Sequence, residues 1–183
     1  MGSDTFTQLV DANYESLFRF ALSLARNQAD ACDLTQQTFY IWATKGQMLR
    51  DAAKAKSWLF TTLYREFLRG RRRGGRITAL EDLPPSEADP PAPATDALAA
   101  LDGQTILVAL QEIDEVFRAP LTLFYLEELS YQEIAEALEV PIGTVMSRLS
   151  RGKAQLRARL AEKPAQSSGN VVPFNPQQLR QTP

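Results

Sequence analysis

Residues 129–160, LSYQEIAEALEVPIGTVMSRLSRGKAQLRARL, read as two helices joined by a tight break. Ser130 followed by Glu133 is a capping-box signature, in which each side chain satisfies a free backbone N–H at the other end of the box. Ile134, Ala135 and Leu138 then repeat at helical spacing until Glu139-Val140-Pro141 interrupts the run. Proline is excluded from a helix interior but tolerated where a new helix begins. The second helix is predicted to turn Ile142, Val145, Leu149 and Leu156 inward. It shows Thr144, Ser147, Arg148, Ser150, Arg151, Lys153, Arg157 and Arg159 outward. A short capped helix, a turn and a longer basic helix form the layout of a helix-turn-helix, whose second helix enters the major groove of DNA. A plain helical hairpin with a solvated basic face is the alternative that this stretch alone leaves open.

The formal net charge of −2 argues against a nucleic-acid binder, but its distribution reverses the inference. Residues 65–76 hold six arginines and one acid, and residues 141–163 hold six basic residues and one acid. Between them, residues 81–102 hold six acids and no base. Phosphate binding depends on local patches rather than on the mean.

Upstream, Phe6, Leu9, Val10, Tyr14, Leu17, Phe18, Ala21 and Leu24 predict an amphipathic helix from about Asp4 to Arg26. A second helix is predicted from Asp30 to about Lys45, ended by Gly46. A third runs from about Ala52 to Arg73, where the Gly74-Gly75 pair after the arginine run stops the helix. Two further helices, one carrying Ile106, Leu107, Leu110 and Ile113 and one starting at Arg118 or Ala119 with Pro120 in its first turn, precede the opening motif. The expected fold is all-α, two small helical domains joined by a flexible linker, the second containing the helix-turn-helix. The expected bounds are 1–76, a linker at 77–102 rich in Pro, Ala and acids, 103–163, and a disordered tail at 164–183.

Composition excludes several classes of chemistry. The chain of 183 residues has no histidine and one cysteine, Cys32. Ser-His-Asp and Cys-His catalysis, a disulfide framework and a four-cysteine zinc site are therefore ruled out. No apolar run approaches the length of a membrane span, and no secretory signal is visible. The expectation is a cytoplasmic, non-enzymatic protein with no metal, no cofactor and no membrane association.

Three stretches could carry binding. In DLTQQTF, residues 33–39, Asp33, Gln36 and Gln37 share a helix face with Asp30 one turn earlier. That face is either simply solvated or docks a basic partner surface. In SWLFTTLYREFLRGRRR, residues 57–73, aromatic rings alternate with arginines. Such a helix suits single-stranded nucleic acid, because bases stack on rings while guanidinium groups hold phosphate. At least half of its apolar surface is expected to be core, including Leu59, Leu63 and one face of Trp58. The third stretch is the helix-turn-helix, with Thr144, Ser147, Arg148, Ser150, Arg151 and Lys153 as its candidates for bases and phosphates.

These motifs, in this order and across this linker, resemble the bacterial RNA polymerase sigma factors of the extracytoplasmic-function (ECF) type, over about residues 5–160. GTV-x-SRL-x-R at residues 143–151 is the most specific part. The resemblance implies a promoter-specificity subunit with no catalytic residues. Asp30, Asp33, Gln36, Gln37 and Phe39 would dock on core RNA polymerase at the β′ clamp helices, and the polymerase contact would extend to the β flap. Trp58, Thr61, Tyr64, Arg65, Arg69, Arg71, Arg72 and Arg73 would melt and read the −10 element. Thr144, Ser147, Arg148, Ser150, Arg151 and Lys153 would read the −35 element. It further implies promoter DNA and an anti-sigma factor as partners. The alternative is a polymerase-independent helix-turn-helix regulator. Several positions depart from the family pattern. Cys32 and Gln37 stand where acids are common, Arg65 where Asn is common, Glu139 where Gly is common, and Met146 where Lys or Arg is common.

Overall fold

The computed structural model describes residues 3–46, 54–73 and 102–162. These form seven helices: α1 Ser3–Ala25, α2 Gln28–Lys45, α3 Ala55–Arg73, α4 Gly103–Leu110, α5 Glu115–Tyr125, α6 Tyr131–Leu138 and α7 Ile142–Glu162. The fold is all-α, as the periodicity predicts. The tail and nearly all of the linker lie outside the described residues, as do Gly74, Gly75 and the predicted start of the third helix at Ala52.

Local chemistry sets the helix ends. Asn27 caps α2 by accepting the Asp30 N–H, and Asp102 caps α4 by accepting the Thr105 N–H. The Ser130–Glu133 capping box is complete: the serine hydroxyl accepts the Glu133 N–H, and the Glu133 carboxylate accepts the Ser130 N–H. Glu139 ends α6 with φ of 55°, in the left-handed region. There a non-glycine residue costs about 1 kcal/mol. The Pro141 carbonyl accepts the Thr144 and Val145 N–H groups, so proline stands just ahead of α7.

Gly46 ends α2 and α3 reaches Arg73 as expected, while the start of α5 and the place of Ile142 need correction. Gly46 ends α2 with φ of −63°, an ordinary right-handed value. It is needed for space, since a Cβ there would stand 2.6 Å from the Trp42 ring. Helix α3 runs through Gly70 without a break. Helix α5 starts three residues before Arg118, so Pro120 lies in its second turn. Its missing N–H leaves the Val116 carbonyl without its usual helical donor. Ile142, expected inside, is 45% exposed, because the first residue of α7 projects past the turn.

The core is built from both halves. Leu17, Phe20, Ala21 and Leu24 of α1 meet Leu59, Phe60 and Leu63 of α3, with Phe20 edge-on to Phe60 at 5.5 Å. In the second half, Leu110, Ile113, Leu121, Leu123, Ile134, Leu149 and Leu156 are fully enclosed. Helices α5 and α7 approach closely at Gly152, where a Cβ would stand 2.9 Å from the Phe117 Cβ. The halves pack on each other, α1 against α5 and α3 against α6.

Arg118 pins this arrangement. Its side chain is 2% exposed and donates to the carbonyls of Leu110, Ile113 and Ser23 at 2.9, 2.6 and 3.2 Å. Burial, with Arg26 and Arg71 nearby, pulls its pKa down to about 10. Glu127 is the buried anion of the same interface, held by Arg19 at 3.1 Å. Burial raises its carboxyl above the ordinary value despite the hydrogen bond to Ser16 and the Arg19 charge, which oppose the rise.

Gly152→Val is expected to lower the urea unfolding free energy by about 2 kcal/mol through overpacking. Gly70→Ala, with nothing within 4 Å of the added Cβ, should raise it by up to about 1 kcal/mol. A raised folded-state pKa gives Glu127 a stabilising contribution that is complete below the ordinary value of 4.5 and is lost as pH climbs through the raised value. Urea titrations across that window should therefore show Glu127→Gln gaining on the parent protein as pH rises, then a constant difference.

Candidate nucleic-acid interface

Helix α2 presents one exposed stripe. Asp33, Gln36 and Gln37 are exposed, as is Asp30 at the first turn. Phe39 is buried at 7% and stacks at 6.3 Å on Tyr14, so it supports the helix from beneath and offers nothing to a partner. Tyr40 takes the outward place. It is 65% exposed and continues the stripe at i, i+3, i+4 and i+7 from Asp33. The reading of DLTQQTF stopped one residue short of it. An apolar ring in a polar stripe was the available signal.

Helix α3 divides its residues by face. Leu59, Phe60, Leu63 and Tyr64 are buried, while Trp58 is half-buried and edge-on to Trp42 at 5.1 Å. Tyr64 is therefore a core ring here and not an open stacking platform. Its phenol pKa is raised by burial, opposed by the charges of Arg148 and Arg71. Thr61 is half-buried, its hydroxyl donating to the Ser57 carbonyl at 2.9 Å. Arg65, Arg69, Arg72 and Arg73 are exposed and Arg71 is half-buried. Arg69 pairs with Glu66 at 2.8 Å, and Arg71 pairs with Glu115 of α5.

On α7, Ser150 is exposed, and Thr144, Ser147, Arg151 and Lys153 are half-buried. The Ser147 hydroxyl donates to the Thr144 carbonyl at 3.0 Å. Lys153 lies over the Phe124 ring at 4.2 Å, a cation–π contact that ties α7 to α5. Arg148, expected on the outward face, is buried at 9%, with its charge acting on Tyr64 of α3.

The Arg65 side chain meets Glu139 in a two-bond pair, Nε to Oε2 at 2.8 Å and Nη2 to Oε1 at 2.5 Å. The arginine hydrogen bonds hold the Glu139 carboxyl below its usual range. The structure thus brings Arg65, Arg71 and Tyr64 of α3 to a seam between the halves, where they meet Glu139, Glu115 and the charge of Arg148. The α2 stripe is only partly there: Asp30, Asp33 and Gln37 border a groove shared with Arg69, Arg71 and Arg73. Sequence reading gave no sign of that seam, because partners 74 residues apart carry no periodic signal.

The candidate set contains no catalytic constellation. Among the described residues no group of three or more Cys, Asp or Glu is placed to hold a metal ion, and no helix is long and apolar enough to cross a membrane.

The Sigma-70 region 2 family model matches residues 9–77, which carry α1–α3, and the Sigma-70 region 4 model matches residues 103–156, which carry the helix-turn-helix. The ECF RNA polymerase sigma factor SigE of Mycolicibacterium smegmatis is 34% identical over 168 residues, covering 90% of this chain, which spans 65% of that relative's length. SigL of Mycobacterium tuberculosis is 31% identical over 156 residues, covering 84% of this chain and 88% of SigL. A solved structure of the sigma factor RpoE in complex with the anti-sigma factor NepR from Bartonella quintana superposes with a TM-score of 0.66 at 27% identity, over 86% of this chain and 97% of that one. With both regions matched in order and the helices laid out as those regions require, the chain belongs to the ECF RNA polymerase sigma factors.

Proposed function

We propose that this sigma factor binds core RNA polymerase through α2, melts and holds the −10 element with α3, and reads the −35 element with α7. The observation that carries the reading is the exposed α2 stripe, the arginine-rich end of α3 and a capped helix-turn-helix in one chain, in the order that the family match requires. The protein performs no covalent chemistry and acts in the cytoplasm, where polymerase and promoter are found.

The physical logic is additive. A base leaving the stack costs a few kcal/mol, and a pocket that receives it offsets that cost. Arginines 65–73 hold the phosphates around the melted segment. Helix α7 grips the upstream duplex and sets register, with Thr144, Ser147 and Ser150 toward base edges and Arg151 toward phosphate. Two moderate grips on one chain act at high effective concentration, so each half alone binds promoter poorly. An anti-sigma factor that covers these surfaces would silence the chain, as the complex of the RpoE relative with NepR suggests.

Reconstituted transcription tests the proposal. Core polymerase with this protein on a genomic template library should give discrete start sites that are absent without it. Equal transcript patterns with and without the protein would defeat the reading. Tight, sequence-specific duplex binding with no polymerase present would favour a polymerase-independent regulator. Within the complex, Tyr40→Ala should weaken core binding about tenfold by loss of a central aromatic contact, read by fluorescence anisotropy of labelled protein. Arg151→Ala should weaken holoenzyme binding to all promoters alike and reduce the salt slope by about one.

A further inference from the structure

A groove runs between α2 and α3, bordered by α5 and the end of α1. It encloses about 1060 Å³, slightly more than the range of about 300–1,000 Å³ in which small-molecule sites fall. Its charges are sorted by wall. Helix α3 contributes Arg69, Arg71 and Arg73, and α2 contributes Asp30 and Asp33. Arg69 is paired with Glu66 and Arg71 with Glu115. Among the described residues, Arg73 and Asp33 have no ion-pair partner. A bare anion would meet the α2 acids, and a bare cation would meet the α3 arginines. The two walls instead suit one ligand with an anionic end and a hydrogen-bond-donating end.

The α3 wall narrows the ligand further. Arg69 and Arg73 are one helical turn apart, a Cβ spacing of about 5–6 Å, within reach of successive phosphates of one chain. Gly70 lines the groove beside them, and a Cβ there would meet nothing within 4 Å. Glycine weakens a helix interior, and here it leaves the backbone open to close approach. Phe67 lines the same wall, half-buried, with the Arg71 guanidinium 5.9 Å from its ring centroid. Such a surface stacks a base. On the α2 wall the Asp33 carboxylate is an acceptor for neighbouring N–H donors. Guanine presents a pair of such donors on one edge, whereas adenine presents an acceptor beside its amine. We propose that the groove binds a free guanine nucleoside triphosphate, its phosphates on Arg69 and Arg73, its base against Phe67 and its N–H edge on Asp33. A nucleic-acid strand spaces its phosphates one per nucleotide, whereas the free nucleotide clusters them as this pair of arginines requires. The site needs neither the polymerase reading nor the promoter reading.

The test uses the full chain without polymerase, and GTP carrying a fluorescent ribose label. The parent protein should bind it saturably, and unlabelled GTP should displace it about tenfold more effectively than ATP or inorganic tripolyphosphate. Asp33→Asn should weaken GTP binding about tenfold while leaving ATP binding no weaker. Arg73→Gln should weaken binding of all three about tenfold. Arg72→Gln, which removes the same charge from an exposed position off the groove, should change little. Gly70→Leu should abolish binding by filling the groove, with circular dichroism showing its helices and melting temperature retained. Binding of GTP that does not saturate would overturn the proposal. So would equal losses from Arg72→Gln and Arg73→Gln, since net charge would then explain the attraction. Tripolyphosphate as effective as GTP would overturn the assignment of the base. A random single strand of about 20 nucleotides that displaces the label as well as GTP does, at equal nucleotide concentration, would overturn the assignment to a free nucleotide.

Discussion

The architecture depends on one buried cation. The Arg118 guanidinium lies where α1 ends in the first half and where α4 ends in the second, and its donors are spent on carbonyls at both ends. Unsatisfied carbonyls at a helix C-terminus carry partial negative charge, which is where a cation is best placed. Burying a charge costs several kcal/mol unless its hydrogen bonds are made, and here dipoles replace a carboxylate partner. That leaves the Asp114 carboxylate to accept from Gln155 of α7 and Glu115 to meet Arg71. Much of the rest follows: α5 is held against α1, and the helix-turn-helix that α5 supports is drawn onto α3.

Helix α6 shows how local and long-range requirements meet. Its capping box and buried Ile134, Ala135 and Leu138 fix the start and the inner face from sequence-adjacent residues. Its end is different. Glu139 takes a backbone conformation that glycine would hold without strain, and the compensation arrives from another helix as Arg65. Arg65 and Glu139, both singled out in the sequence, are thus the two partners of one ion pair.

The same division explains what the sequence revealed. Helix existence, the capping box, the core residues of α1 and the helix-turn-helix were legible because each rests on contacts three or four residues apart. The start of α5 was missed because Asp114 caps it with its carbonyl while its carboxylate turns away to accept from Gln155 of α7, leaving Pro120 as the stronger but misleading marker. Arg148 was placed outward because arginine after a turn reads as solvated. Tertiary packing buries it, with its charge near Tyr64 of α3. Phe39 was assigned by motif rather than by phase and Tyr40 was passed over, and a shift of one residue on a helix turns a side chain by about 100°. The family itself was readable because its signature is an order of motifs, which needs no contact map.

The pairing of Trp42 with Trp58 has an optical consequence. These are the chain's two tryptophans, and both belong to α2 and α3. The indoles stand edge to face at 5.1 Å, with Trp42 enclosed. Intrinsic emission excited at the tryptophan edge therefore originates entirely in the half built from α1–α3. The half built from α4–α7 is dark at that wavelength, and a melting curve followed by emission describes one half of the molecule while ellipticity describes both.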